Sequence, residues 1–184
     1  MTEAIATRCA LPAYLDVLDF GCGTGLVSLG LRPLVRSVTG VDTSRGMLDV
    51  FEGKLLEQGL AGVRTVLLPA DAPLSLPDSF HLVVSSMTLH HVADLAVLFA
   101  RFRDHLQPGG RVALADLDLE DGTFHEDATD VVHLGFDRGA IAALLAGAGF
   151  VDVEVEMATV TRKGERPYPV FLATGRKAEA DSPA

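Results

Sequence analysis

A glycine-rich loop near the start of the chain contains the residues best suited to bind a ligand. In Gly21-Cys22-Gly23-Thr24-Gly25 three glycines alternate with other residues, and Asp19 stands two positions before the first of them. Glycine allows a sharp turn and leaves no Cβ between the backbone and an approaching ligand. Because the loop lies between an apolar run and a helical pattern, the sequence predicts a ligand-binding turn between a strand and a helix.

A second acid follows the next apolar run. Asp42 lies 21 residues after Gly21 (42 − 21), directly after the run that ends at Val41. A carboxylate in this place offers two acceptor oxygens to the two hydroxyls of a ribose. A dinucleotide-binding loop would have Gly or Ala where this chain has Leu26, and the chain has no Tyr-x-x-x-Lys set. A nicotinamide-dependent oxidoreductase is therefore the less favoured interpretation.

Cysteine and histidine side chains can act as nucleophiles, metal ligands or general bases, and their positions in the sequence favour only some of these roles. Cys22 lies inside the glycine loop with no obvious base nearby, so the sequence predicts a packed thiol rather than a nucleophile. His90 and His91 are adjacent, and no third ligand follows at a matching spacing, so no metal site is predicted. If the reaction needs a general base, the candidates are His91, His125 and His133.

The chain that carries these residues alternates short apolar runs with helical patterns, which is typical of a mostly parallel sheet covered by helices. Strands are predicted over 15–20, 38–41, 63–68, 82–84, 111–117, 150–156 and 168–174. Helices are predicted over 3–10, from Leu26 to Pro33, after Thr43 or Ser44, after Asp94 and after Asp137. The segment 118–136 is polar and has no regular period. We expect one domain over residues 1–177 and a disordered tail over 178–184.

Composition and charge exclude several classes of function. The formal charge of −10 in 184 residues opposes binding to nucleic acid, and the short basic run 162–166 predicts a solvated loop. No apolar run approaches the length of about 18 residues that a membrane span needs. The first residues lack a secretory signal, and Cys9 and Cys22 fit no disulfide framework. These features predict a cytoplasmic protein without membrane partners.

Four motifs, in order, resemble the class I S-adenosylmethionine-dependent methyltransferases, particularly the small-molecule branch related to the quinone-biosynthesis methyltransferases. The resemblance runs from about Leu15 to Lys177. Its motifs are the runs 19–25, 40–44 with Met47, 69–72, and 85–92 with 106–110. The resemblance implies a single-domain α/β fold, Rossmann-like and doubly wound. Its seven-stranded sheet is mostly parallel with an antiparallel last strand, and helices cover both faces.

The resemblance also implies S-adenosyl-L-methionine as the cofactor and S-adenosyl-L-homocysteine as the product. The residues that it assigns to cofactor binding are Asp19, Gly21, Cys22, Gly23, Gly25, Asp42, Thr43, Met47, Ala70, Asp71, Ala72 and Ser85. Met47 is expected both to pack on the adenine ring and to join the core, and Asp71 to accept from the adenine amino group. On the substrate side the candidates are Ser86, Met87, His90 and His125.

The implied activity is methyl transfer to a small-molecule acceptor by in-line displacement, performed by a monomer or a homodimer. A non-catalytic cofactor-binding subunit is the alternative from another class. This chain departs from the family at His81, where Asp is common, and by having only 18 residues before Asp19, where a roof over the pocket usually begins. We therefore expect an open acceptor pocket lined by Ser85, Met87, His90 and the segment 116–137, with residues 118–136 as a lid.

Overall fold

A single seven-stranded sheet forms the centre of the structure, a computed structural model that describes residues 1–69, 73–125, 127 and 129–179. In chain order the strands are β1 (Asp16–Phe20), β2 (Ser37–Asp42), β3 (Val63–Leu67), β4 (Phe80–Ser86), β5 (Leu106–Leu117), β6 (Phe150–Lys163) and β7 (Arg166–Lys177). The spatial order is β3-β2-β1-β4-β5-β7-β6. Neighbours from β3 to β5 pair in parallel, whereas β7 is antiparallel to both β5 and β6. The predicted sheet is confirmed.

Helices cover both faces of this sheet, as predicted. In the described part of the chain they are α1 (Thr2–Cys9), α2 (Leu26–Leu31), α3 (Arg45–Gln58), α4 (Leu95–Asp104) and α5 (Arg138–Gly147). Strand residues alternate between the two faces: Leu18 packs in the core that includes α4 and α5, and Val17 packs in the core that includes α1 and α2. Because both faces of the sheet are covered at its centre, consecutive residues are buried in the middle of β4 and at the end of β5.

Side-chain caps fix the starts of three helices. Asp94 accepts a hydrogen bond from the amide of Val97 at 2.9 Å, and Asp137 accepts one from the amide of Ala140 at 2.8 Å. Ser44, one of the two caps predicted for α3, accepts from the third residue of that helix. Each cap satisfies an amide that would otherwise lack an intrahelical partner. The predicted caps at Asp94 and Asp137 are confirmed.

Several predicted boundaries are wrong at the far side of the sheet. β5 begins at Leu106, whereas the predicted strand begins at residue 111. The predicted loop 162–166 is instead the tip of a hairpin, because β6 and β7 extend to Lys163 and from Arg166. Backbone pairing between these two strands continues past their apolar residues, so an apolar pattern underestimates their length.

Only some of the apolar residues of α3 belong to the core. Leu48 and Phe51 are fully buried, but Met47 is 47% exposed and Leu56 is 84% exposed. The helix covers β2 and the edge strand β3, so a narrow side of it meets the core. The prediction that Met47 joins the core is therefore wrong.

Residues 118–136 lack a helix or strand among those described, apart from an isolated bridge between Asp118 and Phe136. Both ends of the segment are nonetheless held. The amide of Glu120 donates to the carbonyl of Leu134 at 3.0 Å. The amide of Val132 donates to the carbonyl of His90 at 2.9 Å. Of the tail predicted over 178–184, the residues after Glu179 lie outside the described part of the chain. None of the described helices combines the length and apolar character needed to cross a bilayer.

Candidate functional site

The glycine loop turns sharply between β1 and α2. Gly21, Gly23 and Gly25 have φ angles of 68°, 52° and 83°, in the left-handed region that other residues avoid. The amides of Gly21 and Cys22 both donate to the carbonyl of Val41, at 2.9 Å and 3.0 Å. The end of β2 therefore holds the start of the loop.

Two of these glycines also make room for neighbouring side chains. A Cβ on Gly21 would collide with Thr88, whose hydroxyl donates to the carbonyl of Gly21 at 3.3 Å. A Cβ on Gly25 would collide with the ring of Phe51. Gly23 differs, because a Cβ there would meet nothing within 4 Å. The loop is thus packed at its ends and open at its centre, which is the form of a cradle for a ligand.

Asp42 supports the centre of the loop from the end of β2. Its Oδ2 accepts a hydrogen bond from the amide of Gly23 at 2.8 Å, and its Oδ1 accepts one from the amide of Ser44 at 2.8 Å. The residue is half-buried. Each carboxylate oxygen has a further lone pair. Asp42 can therefore accept from a ligand in the cleft while it holds the loop.

Asp19 is the buried acid of this region. It is 1% exposed, and the hydroxyl of Ser28 donates to its Oδ2 at 2.6 Å. Burial raises the pKa of Asp19 to about 6, although the hydrogen bonds from Ser28 act in the opposite direction. The carboxyl group thus joins β1 to α2 beneath the loop.

The end of β4 lies beside the loop. Ser85 is fully buried, and its hydroxyl donates to the carbonyl of Phe20 at 2.9 Å, so its side chain joins β4 to β1. Ser86 and Met87 follow it and are half-buried. Met87 has a left-handed φ of 57°, which bends the chain away from the sheet. These two residues present their side chains nearest the strand end.

The two thiols are packed, as predicted. Cys9 and Cys22 are free and buried. Burial raises the pKa of the Cys22 thiol far above its ordinary value, and the acids Asp19 and Asp42 raise it further. Cys22 packs against Phe51 of α3 in the core beneath the loop. A thiol in such surroundings stays protonated and is a poor nucleophile.

The expected adenine side of the site is described only in part. Thr43 and Met47 are exposed at the start of α3, next to Asp42. The end of β3 approaches the same acid, since the amide of Leu68 donates to the carbonyl of Asp42 at 2.9 Å. The predicted contacts at Ala70, Asp71 and Ala72 lie outside the described residues.

A cluster of histidines lies beyond the end of β4. Residues Leu89–His91 form a short 3-10 helix, in which the ring of His90 lies 4.2 Å from that of His91, measured between centroids. The ring of His125 lies 4.7 Å from that of His90. Nδ1 of His90 is 2.8 Å from Oδ1 of Asp116, which is fully buried at the end of β5. Within the described ranges, no group of three or more His, Cys, Asp or Glu side chains is arranged to hold a metal ion.

A family model described as a methyltransferase domain matches residues 18–114, which is more than half of the chain and includes the loop and Asp42. The chain belongs to this methyltransferase family.

Curated relatives and a solved structure extend the comparison. An uncharacterized methyltransferase of Schizosaccharomyces pombe is 32% identical over 77% of this chain and 55% of its own length. A ubiquinone biosynthesis O-methyltransferase of Xanthomonas euvesicatoria is 32% identical over 66% of this chain and 51% of its own. A phosphoethanolamine N-methyltransferase 2 of Haemonchus contortus, solved with S-adenosyl-L-methionine, shares the fold at a TM-score of 0.79 and 20% identity, covering 97% of this chain and 52% of that one. This methyltransferase domain thus spans about half the length of these curated relatives.

Sequence reasoning missed two acids of this methyltransferase domain. The polarity pattern marks Asp116 only as the start of a polar segment, yet its side chain is the partner of His90. Glu120 was not considered, and its Oε1 is buried without a hydrogen bond to any described residue. An acid directly at the end of a predicted central strand was the available signal for Asp116. His133, by contrast, donates from Nε2 to the carbonyl of Val92 at 3.0 Å, and its ring lies beside that of Phe136.

The departure at His81 has a structural explanation. Nδ1 of His81 accepts a hydrogen bond from the amide of Asp16 at 3.1 Å, so the imidazole caps the start of β1. The contact lies at the amino ends of β1 and β4, opposite the glycine loop. His81 therefore supports this methyltransferase domain structurally and lies apart from the cleft.

Proposed function

We propose that this chain binds S-adenosyl-L-methionine in the cleft between the glycine loop and Asp42, and that it transfers the methyl group to a small-molecule acceptor. The observation that carries the proposal is the hydrogen bond from the amide of Gly23 to Asp42. It places the carboxylate of Asp42 next to Gly23, where the space above the backbone is open to a ligand. The cofactor named for the Haemonchus contortus structure supports the same assignment.

The residues present fit this cofactor. The open position over Gly23 leaves space for a ligand against the backbone, and Asp42 has lone pairs for the ribose hydroxyls. Met47 is exposed beside Asp42 and can lie against the adenine ring. The cofactor carries a positive sulfonium, and the carboxylate of Asp42 beside the loop has the complementary charge.

The chemistry divides between cofactor and protein. When bound, S-adenosyl-L-methionine supplies an electrophilic methyl group on a good leaving group. The protein has to hold the acceptor in line with that group and to keep water away from it. Such positioning lowers a barrier by on the order of 7–11 kcal/mol. The residues available for it are at the carboxyl ends of β4 and β5, namely Ser86, Met87, His90 and His125.

We assign a small molecule to the acceptor site. The name of the Xanthomonas euvesicatoria relative, a ubiquinone biosynthesis O-methyltransferase, supports this class. The net charge of −10 disfavours nucleic acid as the substrate. We also assign the domain to residues 1–177 and the protein to the cytoplasm, which agrees with its free cysteines. Light scattering after gel filtration distinguishes a monomer from a homodimer.

Thermal unfolding with two ligands tests the cofactor assignment. We expect S-adenosyl-L-homocysteine to raise Tm and NAD to leave it unchanged. A ligand at 100 times its Kd adds about 2.7 kcal/mol to the free energy of unfolding. A shift with NAD alone would contradict the proposal. Binding of S-adenosyl-L-homocysteine without methyl transfer to any acceptor would favour the non-catalytic subunit.

A further inference from the structure

The histidine cluster contains an imidazole whose tautomer is fixed. His90 is 2% exposed, and its Nδ1 lies 2.8 Å from Oδ1 of Asp116. The same carboxylate accepts from the amide of Leu117 at 2.8 Å and from the amide of His90 at 3.3 Å. Because Asp116 acts as an acceptor toward all these groups, Nδ1 of His90 carries a proton. The lone pair of the ring is then at Nε2.

Two buried polar atoms in the same region lack partners. Nε2 of His125 and Oε1 of Glu120 are buried and make no hydrogen bond with any described residue. Burial lowers the pKa of His125, and the neighbouring His90 and His91 lower it further, against the opposing influence of Glu120 and Asp116. His125 is thus held neutral. Unpaired buried groups are costly, so their presence here indicates a ligand with polar hydrogens.

The cluster lies on the acceptor side of the cleft. Thr88, two residues before His90, donates its hydroxyl to the carbonyl of Gly21 in the loop. Nε2 of His90 makes no hydrogen bond with any described residue, and the side chain keeps 3% of its surface exposed. Nδ1 of His91 also donates, to the carbonyl of Asp130 at 2.7 Å, but this partner is neutral and the His91 side chain is exposed. His90 is therefore the ring of the cluster that is buried, has a carboxylate at Nδ1 and keeps Nε2 free to accept a proton.

We propose that His90 is the general base of the reaction, that Asp116 positions it, and that the acceptor is a hydroxyl compound. This inference rests on the proposed function. The acceptor oxygen forms a bond to the methyl carbon while the carbon–sulfur bond breaks and its electron pair stays on sulfur. The hydroxyl proton moves to Nε2 of His90, and Asp116 stabilises the resulting imidazolium. A hydroxyl oxygen needs such a base, since it is a weak nucleophile until its proton leaves, whereas a tertiary amine or thioether has no proton to lose.

The tautomer can be tested without cofactor or substrate. Nitrogen-15 NMR of the full chain reports which ring nitrogen of each histidine carries the proton. We expect the Nδ1–H tautomer at His90 in the wild type and its loss in Asp116→Asn. Resonances are assigned with His90→Gln and with the control His81→Gln, whose ring lies at the opposite edge of the sheet. An Nε2–H tautomer at His90 in the wild type would overturn the proposal.

Transfer of labelled methyl tests the role in catalysis. Wild type, His90→Gln, Asp116→Asn and His81→Gln are incubated with labelled S-adenosyl-L-methionine and a panel of phenols, alcohols, tertiary amines and thioethers. We expect label only on hydroxyl compounds, and a kcat about 10²–10⁴-fold lower in His90→Gln with KM little changed. The wild-type rise of kcat with pH should disappear in His90→Gln and persist in His81→Gln. Asp116→Asn should keep part of the activity.

The outcomes separate this inference from the proposed function. Label on tertiary amines or thioethers, label on no hydroxyl compound, or an unchanged kcat in His90→Gln would each overturn the role of His90. Binding of S-adenosyl-L-homocysteine, measured on the same samples, should be equal in all four proteins. Its absence in the wild type would instead overturn the proposed function.

Discussion

The carboxylate of Asp42 accepts a hydrogen bond from the amide of Gly23 across 2.8 Å, so the acid that ends β2 supports the loop that follows β1. The amides of Gly21 and Cys22 in the loop also donate hydrogen bonds to the carbonyl of Val41 in the same strand. One strand end therefore determines both the shape of the loop and the position of the acid that faces the cleft. Changes in the loop and changes at Asp42 should consequently affect the same property, the affinity for the cofactor.

Gly25→Ala should destabilise the fold. Gly25 has a φ of 83°, and a Cβ there would collide with Phe51. The left-handed backbone costs about 1–2 kcal/mol for a residue with a Cβ. Overpacking against a core ring costs about 1–3 kcal/mol more. Urea unfolding should show a loss of about 2–5 kcal/mol in the free energy of unfolding.

Gly53→Ala is the matched control, because the Cβ would meet nothing within 4 Å in the middle of α3. Alanine is favoured over glycine in a helix interior, so this variant should gain about 0.5–1 kcal/mol. Equal effects of the two substitutions would contradict the account of the loop.

Asp19→Asn should change how stability depends on pH. Asp19 has a pKa of about 6 in the folded protein and an ordinary value of 3.8, so the folded state binds the proton more strongly. The wild type therefore loses stability as pH rises from about 4 to 6, because the buried carboxyl group must ionise. The loss is on the order of 3 kcal/mol. Asp19→Asn should lack this decline in urea titrations, and an identical decline in both proteins would refute the assignment.

Asp16 provides a control of opposite sign. The side-chain hydrogen bond from Arg36 lowers the pKa of Asp16 to about 2, and the hydroxyl of Ser37 also contributes. This contribution to stability is present above pH 3.8 and is lost as pH falls through about 2. Asp16→Asn should therefore lower the free energy of unfolding at neutral pH. It should also make the further loss of stability in acid smaller than in the wild type.

Thiol labelling checks the packing beneath the loop. Burial raises the pKa of both thiols, to about 11 for Cys9 and higher still for Cys22. Iodoacetamide at pH 8 should therefore label neither residue in the native protein and both in concentrated urea. Rapid native labelling of Cys22 would show a reactive thiol in the loop and would reopen its role as a nucleophile.

Local periodicity was enough to predict where most strands lie and that a glycine-rich turn follows β1, whereas the antiparallel last strand was expected only from the family resemblance. The apolar runs up to Leu18 and Val41 and the glycine spacing are local features, and the structure follows them. Contacts between distant residues were not predictable in this way. Ser85 donates to Phe20, 65 positions earlier, and His90 pairs with Asp116, 26 positions later. Such partners depend on which strands become neighbours, and no single stretch of sequence contains that information.

Hydrogen exchange tests the predicted lid. The amides of Leu119, Glu120 and Val132 are hydrogen-bonded to other parts of the backbone, so we expect them to be protected in the free protein. The predicted lid over 118–136 would then be anchored at both ends. Rapid exchange of all three amides, followed by protection with S-adenosyl-L-homocysteine and a substrate mimic, would support the lid instead.

Asp71→Ala measures the predicted adenine contact. We expect it to weaken binding of S-adenosyl-L-homocysteine by about tenfold, because a single hydrogen bond to a charged group contributes about 1.5–3 kcal/mol and main-chain groups can replace part of it. Calorimetry on this variant and on the wild type gives the ratio. We expect Asp42→Ala to cause a larger loss, and equal losses in the two variants would contradict this expectation.

Calorimetric titration of S-adenosyl-L-homocysteine into wild type, Asp42→Ala and Asp49→Ala is the most direct test of the proposed site. The Asp42→Ala variant should lose two hydrogen bonds between the carboxylate and the ribose, each of which contributes about 1.5–3 kcal/mol. A change of about 1.4 kcal/mol in binding free energy is a tenfold change in affinity. We therefore expect Kd to rise at least about a hundredfold in Asp42→Ala. Asp49, an exposed acid of α3 paired with Arg45, should leave Kd unchanged when replaced. Equal Kd values for wild type and Asp42→Ala would contradict the account.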